Sequence, residues 1–313
     1  MQKLNGQLVL SPTDLTKHLA CRHVTGLDLE VLRGNRPKPV VDDDDLQLIF
    51  KKGLAHERDF LDHLKSEGRS VVEIPTRFDA GGRQEAESQT VGAMQSGADV
   101  VYQGTFFDGM WGGQADFLLR VERPSELGDW SYEIADTKLA RRLKVPALLQ
   151  MSTYADRLTQ LQGVEPAHLY VVTGDKETHQ WRLVDVSSYA HRARARLRNF
   201  VENPPHTEPV PVLHCGQCRW IATCAAQWKK ADDLSLVAFM RNDHRELLKN
   251  HGVSTLAELG ASNADELPPQ MGRASRERLV QQAAEQLKER QSGQPSYLLL
   301  PPEERVGAFR RGL

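Results

Sequence analysis

Three successive runs concentrate β-forming residues from position 99 onward: DVVYQGTFF, GGQADFLLRVE and WSYEIADTK. Asp108-Gly109 separates the first two, and PSELGD separates the second from the third. Both connectors are turn-forming, so the spacing predicts a three-stranded antiparallel meander. Helical patterns flank it. LQLIFKKGLAHERDFLDHLKSEG, about residues 46–67, carries apolar residues at helical spacing with Gly68 as a stop, and His56 lies mid-helix. After the meander, VPALLQMSTYADRLTQLQG places Pro146 in a first turn and Gly163 at a C-terminal cap, and AHLYVVTG then reads as a buried strand. Helix, three-stranded meander, helix and strand define an α/β core.

Outside that core, SPTDLTKHLACRHVTGLDLEVLRG offers Ser11 and Asp14 as capping residues, with Cys21 on or just after a helix. VVDDDDLQ, residues 40–47, reads as a solvated acidic loop, and SSYAHRARARLRNFVEN as a basic helix. From about Ser235 the texture changes to short helices, and the Pro/Gly-punctuated end resembles a linker or tail. The expected division is residues 1–234, a small helical subdomain over 235–292, and a tail over 293–313. With a net charge of -2, any binding of nucleic acid must come from local basic patches and metal sites. No secretion signal and no apolar run of about 18 residues is present, so a soluble, cytoplasmic chain without membrane contact is expected. No G-x4-G-K-[ST] pattern occurs, which leaves no visible ATP motor.

Asp116 lies in GGQADFLL, and Asp136 with Lys138 in YEIADTK, on strands joined by a short connection. Asp136 and Lys138 share a strand face because side chains alternate with period two. Two carboxylates suit a hard cation such as Mg²⁺ or Mn²⁺, which polarises a phosphoryl oxygen and acidifies the attacking water. The lysine would orient that water and offset phosphate charge. Alone, D-x-K is also a common edge-strand ion pair. Glu133 falls on the opposite face and is left out of the site. Arg141, Arg142 and Lys144 follow in a loop, either as phosphate contacts or as solvated charges.

The four cysteines are Cys21, Cys215, Cys218 and Cys224, the last three spaced C-x2-C-x5-C. Such a cluster reads as metal ligation more naturally than as disulfides. Spacing does not choose between Zn²⁺ and an iron-sulfur cluster, and His214 keeps a Cys₃His zinc site open should Cys21 be a buried free thiol. LLKNHGVSTLAELG carries a glycine turn similar to one helix-hairpin-helix unit, in which backbone N–H groups grip a phosphate; simple helical packing accounts for it equally well.

The motifs GLAHE, YQG, GGQADFLLRVE, WSYEIADTKLAR, LLQMSTYADRLTQLQG, HCGQCRW-x3-C and DDLSLVA together resemble the RecB-like PD-(D/E)xK nuclease family. The likeness spans roughly residues 8–290 and extends to the AddB and CRISPR-associated nucleases with four cysteines. It is strongest to a bacterial group in which this module precedes helicase domains. The resemblance implies a restriction-endonuclease-like core and a metal-dependent deoxyribonuclease acting on single-stranded DNA or DNA ends in repair, recombination or defence. It implies metal ligation by His56, Asp116, Asp136 and the Thr137 carbonyl, and a catalytic Lys138. Gln150 and Tyr154 would support the site and the DNA strand, and a [4Fe-4S] cluster would sit on Cys21, Cys215, Cys218 and Cys224, with a helicase as partner. Two alternatives stand beside it: a catalytically silent DNA-binding module of the same fold, and a zinc-stabilised adaptor.

Overall fold

Residues 1–40 and 44–299 are described in the computed structural model, 44–46 without their side chains. Part of the acidic loop expected at 40–47 and most of the tail expected at 293–313 lie outside the described residues. The chain divides into two units, Met1–Glu208 and Pro209–Leu313. In chain order the first unit runs β1 (Gln2–Leu4), β2 (Gln7–Val9), α1 (Pro12–Ala20), α2 (Arg22–Leu32), α3 (Asp44–Ser66), β3 (Val71–Glu73) and α4 (Ala80–Gln95). It continues with β4 (Val100–Phe107), β5 (Gly112–Val121), β6 (Ser131–Lys138), α5 (Val145–Gln162), β7 (His168–Thr173), β8 (Thr178–Arg182) and α6 (Val184–Glu202).

The expected meander is present as β4-β5-β6, each pair antiparallel, inside a six-stranded sheet of order β3-β4-β5-β6-β7-β8. β3 joins β4 and β7 joins β6 in parallel, the second of these through α5. The class is therefore mixed α/β. Alternation along the strands sends Leu118, Tyr132, Ile134 and Val171 to one face, where Met151, Ala155 and Leu158 of α5 and Met94 of α4 pack on them. Leu61 and Leu64 of α3 cover Val100, Phe117 and Ala135 on the other face. Burying side chains such as Leu158 and Ile134 completely contributes about 1.5–3 kcal/mol each, which is why the sheet needs a helix on both faces.

Local signals account for the ends of the helices. Ser11 and Asp14 form a capping box at α1, Ser11 N–H donating to Asp14 Oδ2 over 2.8 Å. Gly163 stops α5 in the left-handed conformation at φ 73°, its N–H returning to the Thr159 carbonyl. The sequence reading did not find β1, β2, β3, α4 or β8.

The second unit contains α7 (Ile221–Lys230), α8 (Asn242–Asn250), α9 (Leu256–Ala261) and α10 (Arg273–Ser292) around Leu234, Leu248, Leu256, Leu259 and Leu279. Its start at Pro209 differs from the boundary expected at 234/235. Trp228 of α7 donates to the Pro209 carbonyl over 2.9 Å, so the cysteine-bearing segment packs on the connection preceding it. Asp233 is buried. Burial alone would raise its carboxyl, but hydrogen bonds from Arg245 at 2.6 and 2.8 Å, from Ser235, and from Lys249 hold it well below the usual range. Among the described residues, no helix is long and apolar enough to cross a membrane.

Candidate active site

β5 and β6 pair from Val121↔Ser131 to Phe117↔Ala135, and there the ladder stops. One further step in the same register sets Asp116 opposite Asp136. β6 meanwhile stays paired with β7 through Lys138↔Thr173. The two carboxylates thus face each other where β5 and β6 part, an arrangement that is unfavourable for like charges unless something neutralises them. Asp116 also takes the backbone N–H of Thr137 on its Oδ2 at 3.2 Å. Part of its surface meets solvent, yet protein crowds it on nearly every side. Burial, a hydrogen bond shared with Asp136, and the charges of Asp136 and Glu57 raise its carboxyl well above the ordinary range, only partly offset by Lys138. Lys138 Nζ lies 2.5 Å from the buried Asp136 Oδ2, an ion pair without an aligned hydrogen bond, so one ammonium offsets one of the two carboxylate charges.

Glu57 is a site residue that sequence reading missed. It is buried on the stripe of α3 that also carries Leu61 and Leu64, four and seven residues further on. A carboxylate on an apolar stripe was the available signal. Its Oε1 accepts from Gln103 Nε2, and with burial it pushes the Tyr102 phenol up to about 12. Gln103 adopts φ 58°, a conformation rarely taken by a residue with a side chain, at the break in the β4-β5 ladder directly across from Asp116. The middle residue of the YQG motif is therefore bent out of the strand to hold Glu57 beside the carboxylate pair.

His56 is also buried, but its Nε2 donates to the Val172 carbonyl over 3.2 Å, which leaves the lone pair on Nδ1. Among the described residues, no three His, Cys, Asp or Glu side chains stand close enough to hold one ion together. What does come together is Asp116, Asp136 and Lys138, with Glu57 behind them. Three crowded carboxyl groups facing a single ammonium fit a divalent cation, and oxygen donors suit Mg²⁺ or Mn²⁺. Glu133 faces away, accepting the Ala167 and His168 N–H groups at 3.0 Å each.

Tyr154 and Gln150 stand one turn apart on α5. Tyr154 is buried, and burial raises its phenol far above the usual value, with Asp116 and Asp136 adding to the shift. Its ring lies so close to β5 that a Cβ on Gly113 would stand 2.8 Å from Cε1. Gly174, just after β7, is tighter still, since a Cβ there would fall 2.2 Å from the backbone oxygen of Leu139, the neighbour of Lys138. Backbone cannot rotate aside. Gly174→Ala is therefore expected to cost about 1–3 kcal/mol and to displace Lys138. Gly92→Ala, inside α4 with nothing within 4 Å of the new Cβ, is expected to gain about 0.5–1 kcal/mol. Denaturant midpoints of the two variants should move in opposite directions, and an unchanged Gly174→Ala midpoint would refute the close approach.

In the second unit, Cys215 and Cys218 bracket a short turn and Cys224 lies in α7. The Val212 N–H donates to Cys215 Sγ at 3.3 Å and the Trp220 N–H to Cys218 Sγ at 3.4 Å. Backbone donors of this kind stabilise negative sulfur, the form in which cysteine binds a metal, although these three thiols do not stand close enough together to share one ion. Cys21, in the first unit, ends α1 and begins α2. None of the four is in a disulfide. No family model matches this chain, and no curated protein matches it in sequence.

Proposed function

We propose that the protein is a metal-dependent deoxyribonuclease of the RecB-like PD-(D/E)xK type, hydrolysing phosphodiester bonds in single-stranded DNA or at DNA ends. The observation that carries this reading is the opposed pair Asp116 and Asp136 at the parting of β5 and β6, with Lys138 Nζ at 2.5 Å. Asp116 and Asp136 would hold Mg²⁺ or Mn²⁺, with His56 and the Thr137 carbonyl as the further ligands the sequence resemblance implies. When bound, the cation supplies charge neutralisation at the phosphate and a more acidic water. Lys138 orients the attacking water and offsets charge on the phosphate as the new P–O bond forms and the bond to the sugar oxygen breaks. Gln103 keeps Glu57 in place, and the Glu57 charge strengthens the cation preference of the pair. Tyr154 walls the site on the α5 side. In the second unit, Cys215, Cys218 and Cys224 would ligate a [4Fe-4S] cluster, with Cys21 as the fourth thiolate by resemblance.

The test is digestion of end-labelled linear and circular single-stranded DNA with Mg²⁺ or Mn²⁺, against EDTA and against Lys138→Ala. Cleavage is expected only for the wild type with metal. Equal cleavage by Lys138→Ala would discard the mechanism.

A further inference from the structure

A groove opens beside Lys138 between α1 and the loop that joins β6 to α5. Lys138 and Gln150 stand at its catalytic end, Arg142 and Lys144 on its loop wall, and Thr16 on α1 opposite. Among the described residues that line it there is no carboxylate. Both loop cations are exposed, and neither has an ion-pair or hydrogen-bond partner among the described residues. Some other cations of the same unit do have such partners, among them Arg157 with Glu87, Arg182 with Asp185 and Lys65 with Glu73. Arg142 and Lys144 put two unpaired positive side chains in one concavity, beside a Lys138 whose charge Asp136 offsets, and in a chain of net charge -2 that makes a local field which a solvated loop on a convex surface would not. The start of α5 adds the positive end of its helix dipole, Lys144 preceding the helix with no side-chain cap.

We propose that this groove seats the backbone phosphate next to the one cleaved, on a single DNA strand, with Arg142 and Lys144 as its binding cations. The inference rests on the nuclease reading and adds to it the path of the strand: from Lys138 along the loop toward the start of α5. Contacts of this type position the strand without reading its sequence.

The experiment is fluorescence anisotropy of the full chain with a labelled single-stranded DNA oligonucleotide in EDTA, where hydrolysis is blocked, across a series of salt concentrations. The double variant Arg142→Gln/Lys144→Gln is compared with wild type and with Lys65→Gln/Arg69→Gln, exposed cations near the end of α3. Loss of two phosphate contacts is expected to weaken binding about tenfold and to reduce the slope of log affinity against log salt by about 1.4. The control should match wild type. If the double variant binds as wild type does, with the same slope, the groove is not the strand's seat, while cleavage by the wild type would leave the nuclease reading intact. If the wild type neither binds nor cleaves the strand, both fall.

Discussion

Asp116→Asn is expected to lower DNA cleavage by about 10³-fold or more while making the metal-free protein harder to unfold. The two effects share one cause. Asp116 and Asp136 oppose each other across a strand pair, and burial and mutual repulsion raise the Asp116 carboxyl well above its unfolded value. A carboxyl raised on folding contributes stability that is fully present below the ordinary carboxylate pKa. That contribution is lost as pH rises through the raised, folded-state value. At neutral pH without metal, the native state therefore carries either a buried repulsion or a proton bound at a cost. Asparagine keeps the shape and can accept the Thr137 N–H through its oxygen, but it carries no charge. Relief of roughly 1–3 kcal/mol should raise the melting temperature by about 2–4 °C per kcal/mol in a unit of this size. The decline in stability above the ordinary carboxylate pKa should also flatten. Melting curves in EDTA over a pH series read both predictions. An Asp116→Asn protein less stable than wild type at neutral pH in EDTA would mean that the carboxylate pair is not strained, and would remove the main support for a cation there.

How far the sequence discloses this site depends on which force decides each position. Asp116, Asp136 and Lys138 were legible because strand alternation and two short turns fix which side chains can meet, and the register at Phe117↔Ala135 agrees. Pro146 and Gly163 bounded α5 through backbone conformation alone. α4 was not legible, because AGGRQEAESQTVGAMQ has no clear apolar stripe. One of its inward residues is Glu87, which reads as solvent-facing until Arg157 on α5 supplies bidentate bonds at 2.8 Å each. Such a pairing is long-range information that no local pattern carries. β8, THQWR, sits at the sheet edge with polar residues on both sides and offers no alternation to find. Glu57 and Gln103 illustrate the same limit at the site. A glutamate on an apolar stripe and a glutamine at φ 58° make sense only as partners, and their elements are separated by β3 and α4.

The cysteines carry the other large prediction: Cys218→Ala is expected to abolish absorbance at about 400 nm in the purified wild-type protein and to leave the second unit unfolded or insoluble. α7, α8 and α9 are 10, 9 and 6 residues long, and helices this short depend on tertiary packing. The cysteine turn has backbone N–H groups committed to two sulfurs, an arrangement that favours thiolates and thus a bound metal centre. Losing one of the ligands removes binding energy that is also folding energy. Cys21→Ala separates the remaining readings. Cys21 and Cys215 are 194 positions apart in sequence, and joint ligation would restrict the unfolded chain by about 5 kcal/mol of loop-closure entropy. On the iron-sulfur reading, Cys21→Ala therefore loses colour and solubility together. If it keeps one zinc per chain and remains soluble, His214 has taken the fourth position and the centre is a Cys₃His zinc site. A colourless wild-type protein that binds no metal, with Cys218→Ala folding normally, would dispose of both metal centres.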